Sequence, residues 1–447
     1  MNRDLTRGGV MRSMLLFAVP MILGNLLQQC YNIADTWIVG KYLGTNALAA
    51  VGSSFSLMTF LTSILLGLCM GSGALFSIRY GERNEKALSE SIGASFLLIA
   101  SLTVLLEILV YLFLSHIGKW LNVPDEVWID MRLYLAVIFL GIPATFLYNY
   151  FSSLLRAVGN SGIPLLFLAV SAVMNIVLDL VFILALDAGV GGAAAATVIA
   201  QYISGIGLAV YAWIRFPALR IQRKHLRPHP TLARTVLSFS GLTCIQQSVM
   251  NLGILMVQGR VNFFGASVMT AFAAAVKIDA FAYMPVQDFG NAFSTFIAQN
   301  YGAGKNERIR RAFRGAMLVS MLFCAVVSSL VFFFAEPLMT LFVEKTETAI
   351  IAEGVRYLRI EGAFYFGIGL LFLLYGLYRA LAKPWMSVIL TVISLGTRVL
   401  LAYLLSSVPA IGVVGIWWSV PIGWMLADIT GLTVYYIRQQ TKSAMIT

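Results

Sequence analysis

Charge is the scarcest property of this sequence. Only 11% of its 447 residues are charged, against roughly 25% in an ordinary soluble domain. Hydrophobic residues make up 59%, and the mean hydropathy is +0.85. That balance excludes a soluble globular enzyme and a disordered chain. Cysteine is reduced to Cys30, Cys69, Cys244 and Cys324, all in apolar runs and none in a CxxC spacing. They read as small buried hydrophobes, which excludes a disulfide scaffold or a zinc site. Only three histidines occur. His116 lies at an outer helix end, and His225 and His229 lie in a basic stretch. No HExxH and no helix-borne Ser–His pair is available, so intramembrane hydrolysis has no machinery. A phosphate-binding glycine loop is missing too, which argues against direct ATP coupling in this chain.

What is present is a series of long apolar runs, such as Ile163 to Leu186. A bilayer core of about 30 Å needs about 20 apolar helical residues. Twelve segments of that kind can be placed, near 13–40, 47–77, 91–115, 131–155, 163–186, 193–214, 235–259, 268–298, 314–335, 355–378, 386–406 and 412–436. A β-barrel would show short alternating segments instead. The fold class expected is therefore an all-α polytopic membrane protein with twelve transmembrane helices.

The formal net charge of +11 sets the orientation. Basic residues concentrate in alternate loops, including Arg79, Arg83 and Lys86, Arg215 to Arg234, and Lys305 to Arg314. The other loops are acidic, with Glu126, Asp130, Glu344 and Glu347. The positive-inside rule then puts both termini in the cytoplasm, and a bacterial inner membrane is the location expected. Nucleic acid need not be invoked as a partner.

The stretch 216–234 carries three prolines and much of the basic charge, and it divides the chain into halves, 1–215 and 235–447. The halves repeat. LGTNALAAVG from Leu43 aligns with FGASVMTAFA from Phe264, IRYGERNEKA from Ile78 with QNYGAGKNER from Gln299, and LLRAVGNSGIP from Leu154 with LYRALAKPWMS from Leu377. With six helices per half, this is a parallel repeat about an axis along the membrane normal, as in many transporters.

An ionisable residue in the hydrocarbon costs a few kcal/mol, so each needs a reason. Asp35 and Asp179 stand in segments 1 and 5, and Asn175 lies four residues before Asp179, on the same helix face. Asn149 and Thr197 add neutral oxygens. Two carboxylates with amide and hydroxyl oxygens suit a small hard cation such as Na⁺, and equally a proton relay. The plain alternative is a polar network that holds helices together. Glu107 has no polar partner at helical spacing and takes no role. The second half carries Lys277, Asp279, Asp288, Glu361, Arg398 and Asp428. Lys277, Asp279, Glu361 and Arg398 can neutralise one another in pairs. Asp288 and Glu361 can instead line an acidic cavity wall for cationic substrates, with Tyr31, Gln247, Tyr283 and Met284 as soft contacts. Pro20 permits a bend in the first helix.

NIADTWIVGKYLGTNALAAVG from Asn32 resembles the first-helix signature of the MATE (multidrug and toxic compound extrusion) transporters of the MOP flippase superfamily, and RAVGNSGIP resembles their loop between helices 4 and 5. The resemblance runs over essentially the whole chain. It implies two six-helix lobes around a central cavity, and export of amphipathic, often cationic organic compounds by alternating access, driven by H⁺ or Na⁺. It implies that Asp35 and Asp179 bind the ion, with Asn175 and Thr197 helping, and that Pro20 bends the first helix. No cofactor beyond the coupling ion is implied, and two internal repeats make a functional monomer reasonable. NorM-type members carry acids deep in segments 7 and 10. Here segment 7 has none and segment 10 has only Glu361, so the sequence stands nearer the DinF-like side. A lipid-linked oligosaccharide flippase is the alternative within the superfamily, and the acidic lean of the cavity candidates argues against it. A channel or receptor is disfavoured by the two similar halves.

Overall fold

The computed structural model describes residues 4–120, 125–221 and 229–444. Among them there is no strand, and the helices follow the twelve apolar segments. The first half contains α1 (Val10–Leu43), α2 (Thr45–Gly81), α3 (Glu85–Trp120), α4 (Asp125–Ile138), α5 (Ile142–Ala157), α6 (Gly162–Leu180) and α7 (Gly189–Arg215). The second contains α8 (Pro230–Asn262), α9 (Ala266–Gly302), α10 (Asn306–Phe333), the short α11 (Ala335–Met339), α12 (Thr348–Gly362), α13 (Tyr365–Ala380), α14 (Pro384–Ser406) and α15 (Val414–Ala444). Of the linker, Arg223, Lys224, His225 and Arg227 lie outside the described residues.

Two predicted segments are each built from two helices. Segment 4 is α4 and α5, joined by a 3₁₀ turn at Phe139–Gly141. Pro143 opens α5, where its missing N–H would have had no partner anyway. Segment 10 is α12 and α13, which meet at a bend of 51° between Gly362 and Tyr365. Among the described residues ten spans, one of them α4 with α5, are long and apolar enough to cross a membrane, and α12 with α13 makes an eleventh. The twelfth, α8, has the length at 33 residues but is diluted by Gln246, Gln247, Asn251, Gln258 and Arg260.

The outward faces are apolar, which only a lipid surround makes comfortable. On α10, Leu318, Leu322, Val326, Leu330 and Phe333 form one stripe, each 52–75% exposed. In water such a stripe would be a liability.

The backbone carries the repeat as clearly as the sequence does. Left-handed residues recur in pairs: Gly44 and Gly265 (φ 87° and 94°), Arg83 and Gly304 (56° and 70°), Gly159 and Ala382 (84° and 57°), Gly189 and Gly412 (58° and 55°). Each pair ends or opens equivalent helices. This conformation favours glycine because it lacks Cβ, yet Arg83 and Ala382 adopt it where their counterparts are glycine. The shape has been retained where the residue type has not.

The chain forms two compact units. The first comprises residues 1–8, 15–244 and 298–304, and the second comprises 9–14, 245–297 and 305–447. The first unit's core centres on Tyr150, ringed by Phe76, Phe96, Phe146 and Phe151. Its hydroxyl donates to the Ile92 carbonyl at 2.7 Å, so a buried polar atom is satisfied. In the second unit Trp417 stacks on Phe272 at 5.5 Å and meets Tyr357 edge-on.

Helix ends in the first unit touch backbone to backbone. A methyl group at Gly81 would stand 2.0 Å from the Gln299 carbonyl oxygen, and one at Gly302 would stand 2.0 Å from that of Ile78. Gly81 and Gly302 are equivalent positions of the two repeats, so α2 and α9 meet there symmetrically. Higher on α2, Gly67 and Gly71 admit the α8 backbone at Cys244 and Phe239. Beside them Ser72 and Ser240 share a hydrogen bond of 2.7 Å. Small residues thus act as close-packing faces.

Candidate functional site

The first unit brings Asp35 of α1 and Asp179 of α6 together. The two carboxyl groups lie within hydrogen-bonding reach of one another. Asp179 is fully buried and Asn175 is 2% exposed. Asp35 is half-buried. Asn175 donates its amide N–H to Thr197 Oγ1 at 3.2 Å, and Thr197 donates to the Ala193 carbonyl at 3.2 Å. Asn175 Oδ1, Asp35 Oδ1 and both carboxylate oxygens of Asp179 are buried with no protein donor. The site is therefore rich in acceptors and poor in hydrogen. Two carboxylates this close cannot both stay ionised without a positive charge between them. A proton or a monovalent cation would satisfy those oxygens.

Local structure explains the placement. Asn175 and Asp179 share a face of α6 at i, i+4 spacing. Just after Asp179, α6 loosens into a π turn, Val181–Ala185, an irregularity that often marks functional helices. Asn149 does not join the pair through any described bond. Its amide donates to its own helix, at the Thr145 carbonyl, 2.9 Å away.

Two aromatic residues complete the surroundings. Tyr31, one turn before Asp35 on α1, interacts with Gln28 and Asp35. Tyr134 of α4, 8% exposed, faces Asp35, Asp179 and Tyr31 together. Sequence reasoning missed Tyr134, because an aromatic in an apolar run has ordinary reasons to be there.

Pro20 lies inside α1. Near it, Ser161 donates to the Phe17 carbonyl at 2.8 Å. Asn160 Oδ1 caps α6 at Ile163, 3.2 Å away. A cleft of about 180 Å³ opens here, lined by Leu16, Pro20 and residues 159–163. The GNSGIP motif thus turns the chain with Gly159, caps the next helix and braces the first helix beside Pro20.

The second unit holds its own cluster. Asp279 of α9 and Glu361 of α12 are 2% and 4% exposed. Tyr365, the first residue beyond the bend, donates its hydroxyl to Asp279. Tyr357, Tyr283 and Arg398 of α14 stand near both acids. Glu361 is therefore placed among Asp279, tyrosines and an arginine at a helix break. Lys277 is exposed and takes no part. Asp288 and Gln247 are buried on α9 and α8, at 9% and 8% exposure, and Met284 is half-buried. Glu107 has neighbours after all, since Tyr111 and Tyr202 both lie within its electrostatic reach.

A family model described as MatE matches residues 20–181 and 240–404, one stretch in each repeat. The chain belongs to the MatE family. A probable multidrug resistance protein, YoeA of Bacillus subtilis, is 29% identical over 439 residues, covering 96% of this chain and 94% of that one. Among solved structures, a MOP superfamily transporter from Pyrococcus furiosus superposes with a TM-score of 0.91 at 22% identity, covering 97% of each chain. A MATE transporter in complex with MaD3S gives 0.90 at 22% identity over 99% of each. This MatE protein is a multi-pass membrane transporter with the twelve-helix fold, and it is not an enzyme. A further relative, in Staphylococcus aureus, carries the name multidrug export protein MepA.

Proposed function

We propose that this MatE transporter exports amphipathic, often cationic organic compounds across a bacterial inner membrane by alternating access, in exchange for H⁺ or Na⁺. Its basic loops and both termini would face the cytoplasm, and one chain would form the working unit. The observation that carries this reading is the Asp35–Asp179 pair, with its buried oxygens that lack donors. Such a pair binds one positive charge from either side as the surrounding helices move. Asn175 and Thr197 would hold the ion with the acids, and Tyr134 would shield it. Pro20 would give α1 the freedom to respond, because it removes one helical hydrogen bond beside a cleft. Asp288 and Glu361, with Tyr31, Gln247, Tyr283 and Met284, remain the candidates for the substrate's path.

The test is efflux of a fluorescent organic cation from proteoliposomes, with pH and Na⁺ gradients imposed separately. Efflux driven by one gradient identifies the coupling ion. Efflux that follows neither gradient refutes ion coupling.

A further inference from the structure

The segment Asp4–Gly8, ahead of the first helix, is built into the protein. Leu5 is fully buried and Thr6 is 8% exposed. The Leu5 backbone is clamped from both sides. Its N–H donates to Gln299 Oε1 at 3.2 Å, and its carbonyl accepts from Asn300 Nδ2 at 3.2 Å. Gln299 and Asn300 are both fully buried. Gln299 also donates through Nε2 to the Ala157 carbonyl, at 2.7 Å. One glutamine thus ties the N-terminal segment, the end of α5 and the end of α9 together.

Asp4 gives the segment its shape. Its Oδ1 accepts from the Thr6 amide at 2.9 Å and the Thr6 hydroxyl at 2.6 Å. Arg7 lies 3.2 Å from its other oxygen, and Arg83 at the end of α2 adds a second positive charge nearby. All of this belongs to the first unit and surrounds the Gly81–Gly302 contact. Ordering an irregular segment costs conformational entropy and does not happen without a compensating gain. Here two fully buried polar side chains are committed to it.

We propose that Asp4–Gly8 is a latch that holds the ends of α2, α5 and α9 together and stabilises the arrangement in which this end is shut. The inference rests on the reading that these ends face the cytoplasm and must part during transport. Gln299 cannot keep both the Ala157 carbonyl and the Leu5 amide once α9 moves away from α5. Latch release and opening are therefore linked, and weakening one favours the other.

The test uses full-length protein with its four cysteines replaced and Ser72→Cys as reporter. Ser72 is fully buried in the α2–α8 contact. A membrane-impermeant maleimide is applied to inside-out and right-side-out vesicles. Leu5→Asp and the milder Leu5→Ala should both speed labelling from the cytoplasmic face, the former by about tenfold, the size expected when one or two ordinary hydrogen bonds are lost. Unchanged labelling in both variants, with the proteins folded and monodisperse, overturns the latch. So does an equal increase in Leu135→Ala, a core variant away from the contact, since that would signify general loosening. Accelerated labelling confined to the opposite face supports the latch and refutes the assigned sidedness instead.

Discussion

Gly81→Ala is the sharpest perturbation the fold offers. The new methyl would stand 2.0 Å from the Gln299 carbonyl oxygen, 2.8 Å from its carbon and 3.0 Å from its Cα. All three are backbone atoms, so no rotamer change relieves the clash. Ordinary contact begins near 3.4 Å, so α2 and α9 must part by about 1.4 Å at this point. That displacement strains the 2.7 Å bond from Gln299 to Ala157 and the 3.2 Å bond from Leu5 to Gln299. Two neutral hydrogen bonds at about 1 kcal/mol each, with about 1 kcal/mol of overpacking, give about 3 kcal/mol against the shut arrangement. A penalty of that size shifts a two-state equilibrium by about a hundredfold. Gly304→Ala is the control. It takes a left-handed backbone (φ 70°) with nothing within 4 Å of the new methyl, so it pays only local strain. Labelling of Ser72→Cys should rise steeply for Gly81→Ala and stay near the parent rate for Gly304→Ala. If Gly81→Ala matches the parent in labelling and thermal stability, the backbone contact has no energetic weight and the reasoning fails.

Further outcomes follow from the same structure. Asp35→Asn and Asp179→Asn should each insert and fold, yet lose uphill transport. A tenfold ion gradient is worth about 1.4 kcal/mol and can sustain about a tenfold substrate gradient in one-for-one neutral exchange. Accumulation in proteoliposomes should fall to none in the variants, and accumulation retained by both would remove the pair from the coupling. Ala382→Gly should stabilise the protein by about 0.5–1 kcal/mol, because it relieves a left-handed alanine at the cost of glycine's extra freedom when unfolded; thermal unfolding in detergent reads this, and a lower melting temperature contradicts it. Burial pushes the Asp4 carboxyl up, but its bonds to Thr6 and the charges of Arg7 and Arg83 bring it below its ordinary value of 3.8. Its contribution is therefore complete above that value and lost as pH falls through the lowered one. Asp4→Asn should be less stable than the parent near neutral pH and converge with it as pH falls through that lowered value, and a gap independent of pH would assign the effect to packing. Arg398→Gln should destabilise the second unit more than Arg398→Lys does, and equal melting temperatures would show that its charge is idle.

Much of this was legible in the sequence for one reason. A carboxylate in an apolar run is expensive, so Asp35 and Asp179 stand out by their neighbours in the chain alone, and helical spacing adds Asn175. The twelve segments and the repeat are legible because bilayer thickness and internal similarity leave few alternatives. The rest depends on how distant parts of the chain meet. Tyr134 is one aromatic among many. Asp279 and Glu361 lie 82 residues apart, and nothing local announces that Tyr365 will bridge a helix break to reach the first of them. The segment Asp4–Gly8 looks like an ordinary polar tail, because both residues that hold it lie almost 300 positions away.

The two halves nevertheless differ in a way that decides where coupling can sit. Each has a pair of acids within reach of one another, and of the four only Asp35 is not fully sequestered. On the repeat alignment Asn175 corresponds to Arg398. In the second unit that position supplies a fixed positive charge beside Asp279 and Glu361. In the first it supplies a neutral amide whose oxygen has no donor. One arginine offsets the charge of one of those two acids, so the second pair depends less on a mobile ion, as expected if Arg398 is a structural neutraliser. On the proposed reading, a pair without one takes its positive charge from the solvent and gives it up when the helices move its oxygens apart. The same backbone thus carries two electrostatic designs, and the ion coupling proposed above falls on the Asp35–Asp179 one.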